Sequence, residues 1–354
     1  GIGQEVVPVG VELLSVIWRA KEVPFEVVHF DLGADRFLKE GVGFPEDVKR
    51  VIWHECDAVL LGALGDPRVP DLGYAREILF GLRFGLDLYC NIRPVICLSD
   101  VLMPLRGKRA SDCDIVVFRE NTEGSYVGVG GVIRQGTQEE IAINQEVHTR
   151  RGVERIIRAA FEYAAQNQRK RVHMADKSNA LPQSHGLWRR VFAEVARDFP
   201  EIEAKAIYID TLCLELIRAP ENFEVIVTNN LFGDIVTDLG AALQGGLGMA
   251  ASANLRVDNR WSHVRARCQA LFEPVHGSAP DIAGKGIANP FATVLSVAMM
   301  LGHFGFGAEE AMLVEGVREA IENGICTPDL GGHYGTREVA QWLEEWLRRS
   351  LMHR

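Results

Sequence analysis

The sequence predicts an α/β protein with parallel strands covered by helices. Three observations lead there. Apolar, β-branched runs alternate with segments of helical period along most of the chain. With 354 residues, 47% of them hydrophobic, there is enough material for one large core or two ordinary ones. No repeat with a period of roughly 20 to 50 residues interrupts the alternation, and neither does any low-complexity tract, so solenoids and loose multi-module chains drop out.

The opening GIGQEV leads directly into the helical pattern EVVPVGVELLSVIWRA. No strand feeds that glycine turn, so a sheet lacking its first strand, with hydrogen-bonding groups left open, is expected. FEVVHFDL then reads as a strand, PEDVKRVIWHE as a helix, DAVLLGAL as a strand and REILFGLRFGLDLYC as a helix. NIRPV reads as a turn and marks a candidate domain boundary near Asn91. DIVVFREN, KRVHMADK, AKAIYID and FEVIVTNN are further strands, and GVERIIRAAFEYAAQNQ, LWRRVFAEVARDF and GDIVTDLGAALQGG are helices. The glycine-rich GGLGMAASAN from Gly245 reads as the second boundary, and beyond Asn289 the pattern is almost wholly helical. The expected division is a middle domain, residues 89–244, inserted in a discontinuous domain of residues 1–88 and 245–354.

Charge and cysteine usage exclude several classes of function. Lys plus Arg number 38 against 48 Asp plus Glu, a net charge of -10 that repels phosphate backbones and anionic lipid. No nucleic-acid or membrane role is expected. The least charged stretch, Gly286 to Ala308, is interrupted by Pro290 and by Gly302, His303 and Gly305, which leaves it too short to span a bilayer. No secretory leader pattern is present, and the seven scattered cysteines lack a C-x-x-C pair, so a reducing cytoplasm is expected.

Asp234 and Asp238 in GDIVTDL are four residues apart, on one helix face, after a strand. A solvated helix start would explain them as well as a hard cation, Mg²⁺ or Mn²⁺, but strand ends of open α/β sheets are where ligands bind. HGSAPDIAGKGIANP is either an ordinary surface loop or one whose amides approach a ligand, and Asp281 in it could accept ribose hydroxyls and repel the extra phosphate of NADP. Arg83, Arg93 and Arg119 could each be a surface charge or part of a carboxylate grip. Lys177 and Tyr126 follow strands and could point into a shared cleft, with packing as the alternative. The G-x-G-x-x-G, H-E-x-x-H, G-x-S-x-G and P-loop patterns are all missing, so an ordinary Rossmann fingerprint, zinc chemistry and hydrolase readings have no support.

NIRPV, FRENTEGSYVG, DKSNAL, YIDTL, TNNLFGDIVTDLGAALQGGLG and LFEPVHGSAPDIAGKGIANP, in this order, resemble the β-decarboxylating dehydrogenases of 2-hydroxy acids. The resemblance covers nearly the whole chain. It implies the isopropylmalate/isocitrate dehydrogenase-like fold: open mixed sheets flanked by helices, an interdomain cleft as the active site, and a homodimer with shared sites. The discontinuous domain would bind cofactor and the middle one substrate and partner. By the same resemblance Arg83, Arg93, Arg119 and Asn179 would hold the acid. Tyr126 would donate a proton, and Lys177 of the partner subunit would assist removal of the hydroxyl proton. Asp234, Asp238 and the partner's Asp210 would bind the metal, while Glu273, His276, Gly277, Ser278, Ala279, Asp281 and Asn289 would form the site for NAD.

The family reads the third substituent of the malate unit on the helix before Arg83, where this chain has Leu79 and Phe80. Apolar side chains there suit an isopropyl group, which makes 3-isopropylmalate the expected substrate, unless both residues merely pack the core. D-malate or tartrate comes second, because FRENTEGSYVGVGG, HTRRGVERI and IDTLC resemble that branch, and isocitrate or homoisocitrate third. Two departures stand out: Arg76 occupies a position where many isopropylmalate enzymes have Glu, and residues 256–270 look longer than usual. A non-catalytic regulatory subunit of a related hetero-oligomer is the reading from another class.

Overall fold

The computed structural model describes residues 1–258, 260 and 262–352. In chain order its elements are α1 (Gly3–Ala20), α2 (Ala34–Glu40), α3 (Glu46–His54), β1 (Val59–Leu60), α4 (Gly73–Gly85), β2 (Cys90–Ile96), β3 (Asp114–Glu120), β4 (Gly130–Ile133), β5 (Ile141–Asn144), α5 (Arg150–Gln166), β6 (Arg171–Asp176), α6 (Ser184–Val195), β7 (Glu203–Tyr208), α7 (Ile209–Arg218), β8 (Val225–Thr228), α8 (Asn230–Leu243), β9 (Ala251–Leu255), β10 (Ala270–Pro274), α9 (Phe291–His303), α10 (Gly307–Glu322) and α11 (Thr336–Met352). Eight strands form one mixed sheet in the order β1-β10-β9-β2-β3-β8-β6-β7, and β4 with β5 forms a separate hairpin.

Strand alternation explains how helices cover both faces. In β3, Val116 and Phe118 point to α5 and α6, while Ile115 and Val117 point to α7 and α8; β8 repeats this with Val225 and Val227 against Ile226. At the other end of the sheet, Phe272 of β10 joins the core of α1, α9, α10 and α11, and its neighbour Leu271 faces α3 and α4. The α1–α9 contact is close enough that a Cβ on Gly10 would meet Thr293 Cγ2 at 2.9 Å.

Four expectations require correction. NIRPV is not a turn: it lies within β2, in mid-sheet. Pro94 is tolerated because β9 pairs only with Cys90 to Ile92, so at Pro94 the strand has β3 on one side alone. Within GGLGMAASAN, the ASAN portion forms most of β9, antiparallel to β2 and β10. FEVVHFDL forms no regular element and joins no ladder among the described residues, and DAVLLGAL keeps only Val59 and Leu60 as strand, paired with β10. A groove of about 1280 Å³ lies between residues 23–33 and 57–66, floored by α1 residues such as Val7 and Val11.

The expected insertion, residues 256–270, folds back onto the α3–α4 region. Arg256 donates to the carbonyls of Leu86 at 3.2 Å and Ala266 at 2.9 Å, and the Arg267 amide donates to the Trp53 carbonyl at 2.7 Å. Its positions 259 and 261 lie outside the described residues. No helix is long and apolar enough to cross a membrane among the described residues.

Candidate active site

One group of predicted residues converges at the centre of the sheet. Arg83 comes from the last turn of α4, Arg93 from β2 and Arg119 from β3, and all three are at least nine-tenths buried. They face Asp234 and Asp238 on α8, the helix that follows β8, whose first turn is capped when the Asn229 side chain accepts the Phe232 amide at 2.8 Å. Asp234 Oδ1 accepts from Arg119 at 2.5 Å and from Arg93 at 3.4 Å, and its Oδ2 accepts the Tyr126 hydroxyl at 3.1 Å. Tyr126 sits in a short turn after β3, with the Arg119 guanidinium 5.7 Å from its ring centre.

The donors of this group are not all satisfied. Two guanidiniums share one carboxylate oxygen, and the Nε atoms of Arg83 and Arg93 are buried without a partner. Burial, Arg93 and Arg83 all push the Arg119 pKa down, with Asp234 opposing them, and burial does the same to Arg93. An anionic ligand would fill the open donors and relieve the repulsion. Asp234 is held below the ordinary carboxylate range: burial pushes it up, but Arg119 and Arg93 outweigh that. Asp238 moves the other way, raised by burial and then by the charge of Asp234. Two carboxylates on one helix face, one of them raised by the charge of the other, are a donor set that fits a hard divalent cation.

Residues without a catalytic signature hold the arginines. Arg119 donates from Nε and a terminal nitrogen to Asn230 Oδ1 at 2.9 and 2.7 Å, and Arg93 donates to the Thr237 hydroxyl at 2.7 Å. Asn230 and Thr237 stand four residues before and three after Asp234, on its own helix face, which is the spacing that could have revealed them. Gly233 lies against Arg119, where a Cβ would come within 2.6 Å of Cγ. A buried amide chain also escaped the sequence reading. Asn91 donates to Ser252 and to Asn254, Asn121 donates to Asn254, and Asn254 donates to Glu273 at 2.9 Å.

The other predicted residues fall in three places. Phe80 stacks on Tyr126 with ring centres 6.4 Å apart, whereas Leu79 packs on the α3–α4 core. Lys177 and Asp210 form an ion pair with each other at the ends of β6 and β7, and that contact lowers the Asp210 pKa. Asn179 is exposed in the turn beyond Lys177. No hydrogen bond or ion pair joins Lys177 or Asp210 to the arginine group among the described residues.

The expected cofactor loop follows β10. Glu273 accepts from Arg83 at 2.6 Å, which connects the loop's base to the arginine group. His276 is buried with Nε2 unpartnered, and burial lowers its pKa. The Ser278 carbonyl accepts the Ile2 amide at 2.9 Å and Ala279 has φ 40, so the loop turns sharply over the start of α1. Gly277 and Asp281 are exposed. Asn289 accepts the Phe291 amide and donates to Asp329, both at 2.9 Å. The open Asp281 carboxylate and the orphaned His276 nitrogen are groups that a dinucleotide would use.

The likeness to known proteins extends along the chain. The isocitrate/isopropylmalate dehydrogenase family matches residues 1–343. A 3-isopropylmalate dehydrogenase of Thermobifida fusca is 42% identical over 322 residues, covering 91% of this chain and 89% of the relative. One from Frankia casuarinae is 45% identical over 315 residues, covering 89% and 88%. The crystal structure of isocitrate dehydrogenase from Methylococcus capsulatus superposes with a TM-score of 0.86 at 37% identity, covering 98% of this chain and 97% of that one. Mixed sheet, paired aspartates and sequence likeness agree, and the chain belongs to the isocitrate/isopropylmalate dehydrogenase family.

Proposed function

We propose that the protein is an NAD-dependent 3-isopropylmalate dehydrogenase that uses Mg²⁺ or Mn²⁺ and serves leucine biosynthesis in the cytoplasm. Its reaction converts 3-isopropylmalate and NAD⁺ to 2-oxo-4-methylpentanoate, CO₂ and NADH. The observation that carries the reading is the buried arginine group with two unpartnered Nε donors beside Tyr126 and Phe80. A malate unit supplies two carboxylates for those donors, and an apolar substituent fits the Phe80 ring. The names of the relatives support the same substrate.

Arg83, Arg93 and Arg119 bind and orient the acid, which converts loss of translational freedom into alignment. Asp234, Asp238 and the partner subunit's Asp210 would hold a divalent cation, which would supply stabilisation of developing negative charge. Residues 273–289, with Asp281 placed to accept ribose hydroxyls, would hold NAD, which would supply the hydride acceptor. Lys177 of the second chain takes the hydroxyl proton, and Tyr126 returns a proton to carbon after CO₂ leaves. The Lys177–Asp210 pair stands apart from the arginine group, and β4 and β5 expose Val132, Ile133, Ile141 and Ile143, features that fit a homodimer whose sites combine both chains. Residues 1–88 with 245–354 act as the cofactor domain in this reading.

The deciding assay compares NADH formation with Mn²⁺ and 3-isopropylmalate, D-malate, tartrate or isocitrate, with NADP as control cofactor. Preference for 3-isopropylmalate and NAD is expected. D-malate or tartrate is the second reading, favoured by the placement of Leu79 in the core, which leaves Phe80 as the apolar contact at the site. Binding of these acids without turnover of any would favour a regulatory subunit instead.

A further inference from the structure

Below the turn that carries Lys177 lies a buried polar cluster that none of the assigned roles uses. Glu146 follows β5, and its Oε1 accepts from Asn229 Nδ2 at 3.1 Å and faces His185 Nε2 at 3.3 Å; Oε2 accepts the Ser184 hydroxyl at 3.0 Å. His148 Nε2 approaches Oε1 to 2.9 Å. Both histidine side chains are 1% exposed, and His148 packs edge-on against His185 and Trp188. Burial pushes the Glu146 pKa up, but the two imidazoles hold it well below the ordinary range, so the carboxylate is charged.

Glu146, His148 and His185 offer ligand atoms within 4.8 Å of one another, a spacing that would suit a metal ion. The histidine tautomer argues for another use. His185 Nδ1 accepts the Lys177 backbone amide at 3.0 Å, so its proton sits on Nε2 and points to Glu146. An ion on Nε2 would require the ring to give up both protons. Asn229 reaches the same carboxylate while its Oδ1 caps α8. One buried charge therefore ties the backbone of Lys177 to the first turn of the helix bearing Asp234 and Asp238.

We propose that Glu146, acting through His185 and Asn229, is a positioning residue that holds two elements at once, the Lys177 turn, which serves the partner's site, and the first turn of α8, which leads to this chain's own aspartates, so that turnover of the hydroxy acid depends on it. The proposal rests on the roles given above to Lys177 and the aspartates. Without the Nδ1 acceptor, the Lys177 amide loses its partner and the long side chain swings from a loosened base. Misplacement of about 1 Å at such a group costs on the order of 100-fold in rate.

The test uses full-length protein, 3-isopropylmalate, Mn²⁺ and NAD. Glu146→Gln and His185→Leu should each lower kcat roughly 10- to 100-fold, with KM for NAD unchanged. His185→Asn, whose amide oxygen can accept the Lys177 N–H, should recover much of that loss. Hydrogen exchange followed by mass spectrometry should quicken in Glu146→Gln at both residues 177–185 and 229–234. A kcat within twofold of wild type, or quickening at one stretch alone, would overturn the proposal. So would stoichiometric zinc in the wild type that Glu146→Gln removes. Wild-type protein that oxidises none of the acids, or full activity in Lys177→Ala, sinks the functional reading instead, and the exchange coupling is then judged separately.

Discussion

Arg119 shows how little freedom the acid-binding group has. Its guanidinium is fixed by Asn230 and Asp234, and its stem lies where a Cβ on Gly233 would have to go. Gly233→Ala should therefore displace the arginine and raise KM for the acid by about tenfold or more, equivalent to about 1.4 kcal/mol, read directly from initial rates. Lys177 contrasts with it, since its pairing with Asp210 is largely open to water and adds little to stability. Lys177→Ala is expected to lower turnover roughly 10²- to 10⁴-fold with Tm nearly unchanged; unfolding would instead mark the lysine as structural. Asp281→Lys should weaken NAD, measured by titration, far more than it weakens the acid, because Asp281 is exposed in the loop and touches neither arginine nor aspartate.

Among the elements, β6 carries a pH sensitivity of its own. His173 is packed edge-on to Phe223 at 4.7 Å, and burial, then Lys205 and Arg171, push its pKa down to about 4. The unfolded chain binds this proton near the ordinary histidine value of about 6.5, so unfolding gains a proton as pH falls. Stability should drop between about pH 6.5 and about 4, by up to about 3 kcal/mol from this group. His173→Phe should flatten that limb in urea melts at several pH values, and an unchanged slope would assign the acid sensitivity elsewhere. Legibility in the sequence followed the same physics. Strands β3, β6 and β8 were readable because both faces are buried and mostly apolar. β2 and β9 were not, because their centres carry Asn91, Arg93, Pro94, Ser252 and Asn254; the amides find partners across the sheet and Arg93 finds its partners on α8. The arginines, Tyr126 and the aspartates could be named from motifs, while Asn230, Thr237 and Glu146 gain their meaning from partners far away in sequence.

Taken whole, the protein divides its predicted chemistry into two groups that share no hydrogen bond or ion pair within one chain among the described residues. If each site combines the arginines and Asp234 of one chain with Lys177 of another, two inactive variants can rescue each other. Lys177→Ala and Asp234→Asn, unfolded together in equal amounts and refolded, should yield about half heterodimers, each with one intact site, and so about a quarter of wild-type activity. Failure to recover activity in mixtures shown to contain heterodimers would mean that every site belongs to one chain. The groove beside β1 has a different consequence. Residues 23–32 form no helix or strand, Val27 and Val28 are 38% and 48% exposed, and beyond the Val23 amide donating to the Trp18 carbonyl at 2.9 Å no ladder holds the stretch among the described residues. A stretch without ladder bonds opens at low free-energy cost and fits the extended cleft of a protease. A nonspecific protease should therefore cut first between Phe25 and Leu32, leaving two fragments that stay associated through α1 and its packing against α9 and α11.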